Sequence, residues 1–200
     1  LGVFTVGDWV AVARRLRPLE YVCKPAVPLV LLAVVAGMDA DPAGARGWFF
    51  AALALALAGD VFLMLPPNGW FVPGLASFLA AHLCFIAAFA VMGLSAPVVL
   101  LGLALVAVVS LTVGGRVLRA LGPSRLRGPV IAYMAVISVM VACALGTFRG
   151  LAVVGAALFY VSDALIAWHR FVQPMRHGKL AIIVTYHLAL FALVASLAGR

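Results

Sequence analysis

The stretch LALAGDVFLMLP (Leu55–Pro66) decides how the whole chain is read. Eleven of its twelve residues suit a membrane helix, and the twelfth is Asp60. An Asp at the centre of such a helix costs ~2.5–3.5 kcal/mol on the insertion scale. A carboxylate kept there at that cost marks a functional site, with a structural hydrogen-bonding role as the plain alternative.

The rest of the chain fits a membrane setting. Of its 200 residues 66% are hydrophobic and 10% charged, with mean hydropathy +1.22. A soluble domain of this size cannot hide so much apolar surface. The net charge of +8 could suggest nucleic acid, but the basic residues flank apolar segments and act as topology signals, so no nucleic-acid partner is expected. Cys23, Cys84 and Cys143 are far apart, without a CxxC pair, and read as reduced packing residues.

Apolar runs near the ~20 residues a span requires place helices at 1–13, 22–38, 48–65, 74–94, 97–118, 129–148, 150–170 and 179–198. The breaks DADPAGARG, PPNGWFVPG, SAP, LGPSRLRGP, FRG and QPMRHGK are punctuated by Pro and Gly in nearly every case. The expected fold is all-α: a polytopic membrane helix bundle of eight transmembrane helices, with 1–200 forming a single integral-membrane domain. The chain begins with Leu1 and its first apolar stretch is short, so helix 1 is expected to be truncated at the N-terminus.

Lys and Arg divide unevenly between alternate connections. Arg14, Arg15, Arg17, Lys24, Arg116, Arg119, Arg125, Arg127, Arg170, Arg176 and Lys179 fall on one side, and Arg46, Arg149 and Arg200 on the other. The positive-inside rule makes the first side cytoplasmic, here of a bacterial-type plasma (inner) membrane. At a rise of ~1.5 Å per residue, Asp60 then lies ~8 Å deep, Asp8 ~9 Å, Asp163 ~10 Å, Tyr186 and His187 ~11 Å and His82 ~13 Å. Residues from five helices thus share one layer in the cytoplasmic half of the membrane. Ionisable groups in lipid face the bundle interior and pair with one another, so one polar pocket opening toward the cytoplasm is expected.

Each candidate has a plainer reading. His82 is as well explained as a core histidine, and His187 follows Tyr186 so closely that it can point elsewhere. Tyr160 stands three residues before Asp163 on the same helix face, where it either orients the carboxylate or packs. Lys24, placed at the opening of helix 2, meets lipid headgroups or a substrate phosphate. His169 and His177 are expected to be solvated.

Four blocks carry a resemblance: GDVFLMLP (Gly59–Pro66), FVPGLASFLAAHLCFIAAF (Phe71–Phe89), FYVSDALIAWHRF (Phe159–Phe171) and IVTYHLALFALVASL (Ile183–Leu197), preceded by YVCKPAVPLVLL (Tyr21–Leu32). Together and in this order they resemble the YhhN (TMEM86) family of eight-helix membrane proteins, which includes lysoplasmalogenases. The resemblance implies hydrolysis of the vinyl-ether bond of a lysoplasmalogen to a fatty aldehyde and a glycerophospho-head. It implies Asp60 and Asp163 as the acid pair, with a lysophospholipid substrate among membrane lipids. The chain has Phe85 where the family often has Tyr, and Leu190 where a Gln or His is often found, so two polar groups are absent.

Such chemistry needs an acid to protonate the β-carbon and an anion to stabilise the resulting oxocarbenium ion, much as in glycosidases. Two neighbouring carboxyls in a low-dielectric site share one proton, and the sequence leaves open which of Asp60 and Asp163 holds it. His82 and Tyr186 are expected to orient water or the hemiacetal hydroxyl. Lys24, Tyr160, Ser162 and His187 are the substrate-binding candidates. Ser162 adjoins Asp163 and cannot face it, so no Ser-His-Asp arrangement is legible. No metal and no cofactor are called for. A metal-dependent lipid hydrolase and a proton-coupled lipid transporter or binding protein are the alternatives, without HExxH spacing or internal symmetry to support them. Asp60→Asn and Asp163→Asn are expected to leave stability intact or improved, since each removes a buried charge.

The charge division makes a direct prediction. In a variant lacking the native cysteines, Ser124→Cys should resist an impermeant maleimide in intact cells and Ala43→Cys should react. The reverse pattern would invert the depths assigned above.

Overall fold

The structure, a computed structural model, describes residues 1–65 and 69–198. Pro66, which ends the GDVFLMLP block, and Arg200 of the charge division lie outside the described residues. Among the described residues the chain is all-helical: α1 (Gly2–Arg14), α2 (Arg17–Gly37), α3 (Ala45–Met64), α4 (Phe71–Met92), α5 (Ala96–Leu121), α6 (Arg127–Gly146), α7 (Gly150–Val172) and α8 (Gly178–Ala195). Eight long helices are present among the described residues, of which seven, α2 to α8, are long and apolar enough to cross a membrane. The chain is an all-α polytopic membrane protein.

The largest departure from expectation is the start of α2. It begins at Arg17 rather than at residue 22, because α1 and α2 are separated by Arg15 and Leu16 alone. Arg15 ends α1 in the left-handed region (φ 58°, ψ 36°), and Leu16 N–H closes back on Ala11 O at 2.8 Å. This helix stop usually falls to glycine. Pro18 then enters the first turn of α2, where a missing N–H costs nothing. Pro25 and Pro28 lie inside α2, an arrangement membrane helices tolerate better than soluble ones. Lys24 therefore sits seven residues into the helix, ~10 Å from its start, and not at its opening.

The chain forms two compact units, Leu1–Met92 with Val194–Arg200, and Gly93–Leu193. In the first unit the buried positions of α3 (Ala45, Phe49, Ala52, Leu53, Ala56, Gly59, Asp60) recur at helical spacing and form one stripe. Small residues let α4 approach that stripe closely. A Cβ on Gly59 would lie 2.6 Å from the Phe78 ring, and one on Gly74 would lie 2.7 Å from Leu63. Ser77 Oγ donates to Leu55 O at 2.7 Å, tying the two helices one turn above Asp60. Phe85, in place of the expected Tyr, is fully buried and meets Phe49 edge-on at 5.3 Å.

In the second unit α5 and α7 each contain a wider turn with π-type hydrogen bonding, at Ser110–Gly114 and at Trp168–Val172. Such turns loosen the backbone ladder and often accompany functional sites. Gly155 of α7 faces α8 so closely that a Cβ there would meet Leu193 N at 2.8 Å and Ala189 O at 3.0 Å. Leu190, where a polar residue was noted as missing, is fully buried in α8.

Candidate functional site

Asp60 is 1% exposed, and its position follows from the buried stripe it ends on α3. Its partner is Lys24 of α2, with Nζ 3.2 Å from Asp60 Oδ1. The side chains are 15% and 2% exposed, so the pair is nearly withdrawn from solvent. Taking either charge out of water alone costs several kcal/mol, and the ion pair offsets this for both. Lys24 flanks the buried line Cys23, Val27, Leu31 and Val35, which explains why its ammonium turns inward.

Two further groups belong to this unit. Asp8 of α1 is fully buried and interacts electrostatically with Lys24, Glu20 and Asp60. His82 of α4 is also fully buried, on the face that carries Phe78, Ala81 and Phe85. The Tyr21 hydroxyl donates to Met64 O at 3.4 Å, at the end of α3 just past Asp60.

In the second unit Asp163 of α7 accepts a hydrogen bond on Oδ2 from the hydroxyl of Tyr133 of α6, at 2.6 Å. Tyr133 is buried and interacts electrostatically with Tyr186. Tyr186 lies edge-on to Phe159 at 5.4 Å. His187 is fully buried; its ring is 5.7 Å from Tyr186 and stacks at 6.3 Å on Phe191.

Two candidates have partners other than those their spacing suggested. The Tyr160 hydroxyl, which could have oriented Asp163, shares a hydrogen bond with Ser110 Oγ at 2.8 Å. Ser110 in turn lies 2.9 Å from Ser138 Oγ, whose hydroxyl donates to Met134 O. Ser162 Oγ donates to Ile182 O at 3.1 Å and ties α7 to α8. The hydroxyl on Asp163 comes instead from Tyr133, which the motif blocks do not include. Its depth is the signal that could have found it: six residues past Arg127, ~9 Å, in the same layer as Asp163. His169 is not simply solvated, since its Nδ1 accepts from Met175 N–H at 2.9 Å across the α7–α8 turn. All three cysteines are free, and among the described residues no group of three or more His, Cys, Asp or Glu side chains gathers in a metal-binding arrangement.

The ion pair revises what Asp60→Asn should do. That change deprives a nearly buried ammonium of its ion-pair partner instead of merely removing a charge. Asp60→Asn and Lys24→Met should each lower unfolding stability in detergent, by about 3 kcal/mol for a broken buried pair. The double variant should recover most of the loss, as a double-mutant cycle by thermal or denaturant unfolding would read. Additive losses would show that the two charges are not coupled.

The model of the YhhN family matches residues 19–197, which includes both carboxylates, Lys24 and Tyr133. The lysoplasmalogenase TMEM86B of Homo sapiens is 36% identical over 146 residues, covering 69% of this chain and 58% of its own length. That of Sus scrofa is 32% identical over 172 residues, covering 84% and 69%. A lysoplasmalogenase of Mycobacterium bovis is 37% identical over 150 residues, covering 72% and 57%. The match thus spans less than two thirds of the human and mycobacterial relatives. No solved structure matches the chain. Similar from the Lys-Pro helix to the last helix, this chain belongs to the YhhN family.

Proposed function

We propose that this protein is a membrane hydrolase that cleaves the vinyl-ether bond of a lysoplasmalogen-type lysophospholipid, with Asp60 and Asp163 as its acid groups. The observation that carries the reading is the buried Lys24–Asp60 pair in the GD block of a chain whose relatives are named lysoplasmalogenases. An ionised pair so deep in apolar surroundings is a functional feature by default. The protein lies in a bacterial-type plasma membrane, and the reaction occurs in its cytoplasmic half.

The reaction begins when a carboxylic acid delivers its proton to the β-carbon of the vinyl ether. The π electrons form the new C–H bond, and the ether oxygen shares a lone pair to give an oxocarbenium ion. A carboxylate stabilises this cation. Water adds to the cationic carbon and gives up one proton, which restores the acid. The hemiacetal then loses its hydroxyl proton as the glycerol oxygen departs with one, leaving aldehyde and alcohol. His82 and Tyr186 orient the water and the hemiacetal hydroxyl. Tyr160, Ser162 and His187 shape the second unit's polar region, where the lipid's oxygens are held. Lys24, engaged by Asp60, positions that carboxyl, and its direct contact with a phosphate becomes secondary.

Isotope incorporation tests the first step. In D₂O the aldehyde, trapped at once as the alcohol with borohydride, should carry one deuterium on the carbon next to the former carbonyl. Turnover should also slow, because a proton moves in the transition state. Asp60→Asn and Asp163→Asn should each abolish the product. Aldehyde without deuterium, or near-normal turnover by either variant, would contradict the mechanism.

A further inference from the structure

Charge is distributed unequally between the two units. Residues 1–92 carry five Lys and Arg and five Asp and Glu, whereas residues 93–193 carry eight Lys and Arg and one acid, Asp163. Seven of those eight cations lie in or beside the α5–α6 and α7–α8 connections, and all seven are exposed. The two connections share one end of the second unit, because the last turns of α5 (Gly115–Leu121) pack against the wider turn of α7 at Trp168–Val172. There the Arg116 guanidinium lies over the Trp168 ring, 5.9 Å from its centroid. Arg127 Nη1 donates to Leu118 O at 3.3 Å and to Gly122 O at 3.4 Å, which closes the first connection. The second is closed by Met175 N–H donating to His169 Nδ1 at 2.9 Å, with Gly178 so close that a Cβ there would lie 2.6 Å from the same nitrogen. Arg176 is thus held one residue from that anchor. The positive-inside rule accounts for the number of cations and not for this arrangement.

We propose that this end of the second unit is a docking site for the headgroup of an anionic membrane phospholipid, with Arg116 and Arg176 as its phosphate contacts. A guanidinium over an indole is held by the face of the ring and still presents N–H groups at its edge, a geometry suited to two phosphate oxygens. Trp168 and Phe171 are half-buried beside the exposed arginines, as aromatic residues are at the boundary of a membrane's apolar and polar layers. Deeper along α5, Val108 and Leu111 are 64% and 76% exposed and give acyl chains an apolar surface. Cations above an exposed apolar surface match a phospholipid in both layers, whereas a soluble phosphate or a nucleic acid would match the upper one alone. Basic residues gathered at the membrane surface favour anionic lipid by charge. The first unit, with its signs balanced, has no such bias. The site takes a lipid of the surrounding bilayer and not the reacting one, so it stands apart from the vinyl-ether reading.

Trp168 is a reporter at the site itself. With Trp9, Trp48 and Trp70 replaced by Phe, the protein is reconstituted into phosphatidylcholine bilayers containing either brominated phosphatidylglycerol or brominated phosphatidylcholine, whose bromines quench indole fluorescence on contact. Phosphatidylglycerol should be preferred about five-fold, the equivalent of one cation at an anionic surface. Arg116→Gln combined with Arg176→Gln should bring the preference close to unity, and Arg14→Gln combined with Arg17→Gln in the first unit should leave it unchanged. Raised sodium chloride should weaken the preference by screening, and sodium phosphate of equal ionic strength should weaken it no further. The unmodified chain gives a second reading, should the triple Trp variant fail to fold: equilibrated in detergent with equal amounts of the two lipids and washed, it should retain mainly phosphatidylglycerol by mass spectrometry, and the Arg116→Gln, Arg176→Gln variant should not. Equal quenching or retention of the two lipids, or a preference that survives that double substitution, would overturn the proposal. A preference removed by phosphate but not by chloride would also overturn it, since the arginines would then bind a free phosphate and not a lipid.

Discussion

A charge inside an apolar helix bundle persists only when a counter-charge and close packing hold it there. Lys24 and Asp60 meet this condition at 3.2 Å, and much of the first unit is arranged so that they can. The two-residue break at Arg15 and Leu16 starts α2 early enough to carry Lys24 inward. Gly59, Gly74 and Ser77 bring α3 and α4 together where Asp60 sits. The pair is weak evidence for stability, since a well-packed apolar replacement often does as well. A buried, paired carboxylate among Leu, Ala and Phe side chains fits a functional role better than a purely stabilising one.

The second unit solves a different problem with neutral groups. Tyr133 supplies Asp163 with a donor, while Tyr160, Ser110 and Ser138 satisfy one another beside the wider turn of α5. Hydroxyls on neighbouring membrane helices are modest glue, about 0.6 kcal/mol apiece on average. Their larger effect is on orientation: a tyrosine fixed by Phe159 or a carboxyl fixed by Tyr133 presents one defined atom. Phe85 and Leu190 are fully buried and packed. The polar groups absent at these two positions are thus replaced by filled core rather than by open space.

The helices were legible because hydropathy and Pro/Gly punctuation act locally, and the family was legible from blocks of adjacent residues. What the sequence concealed depends on contacts between helices. Lys24 reads as an interface cation if α2 starts at residue 22, and the left-handed turn at Arg15 that moves the start carries no glycine to announce it. Tyr160 is closer in sequence to Asp163 than Tyr133 is, yet the latter makes the bond, because the packing of α6 on α7 decides which phenol arrives. Ser162 similarly looks like a site residue beside Asp163, and its hydroxyl is bound to the backbone of α8.

The central claim is that these carboxyls serve vinyl-ether hydrolysis. Purified protein should be incubated with a lysoplasmalogen, its saturated alkyl-ether analogue and an ester lysolipid of equal chain length, with products read by mass spectrometry. Fatty aldehyde and glycerophospho-head should form from the lysoplasmalogen, and the other two lipids should remain intact. Fatty acid released from the ester, or a lysoplasmalogen left whole, would contradict the account.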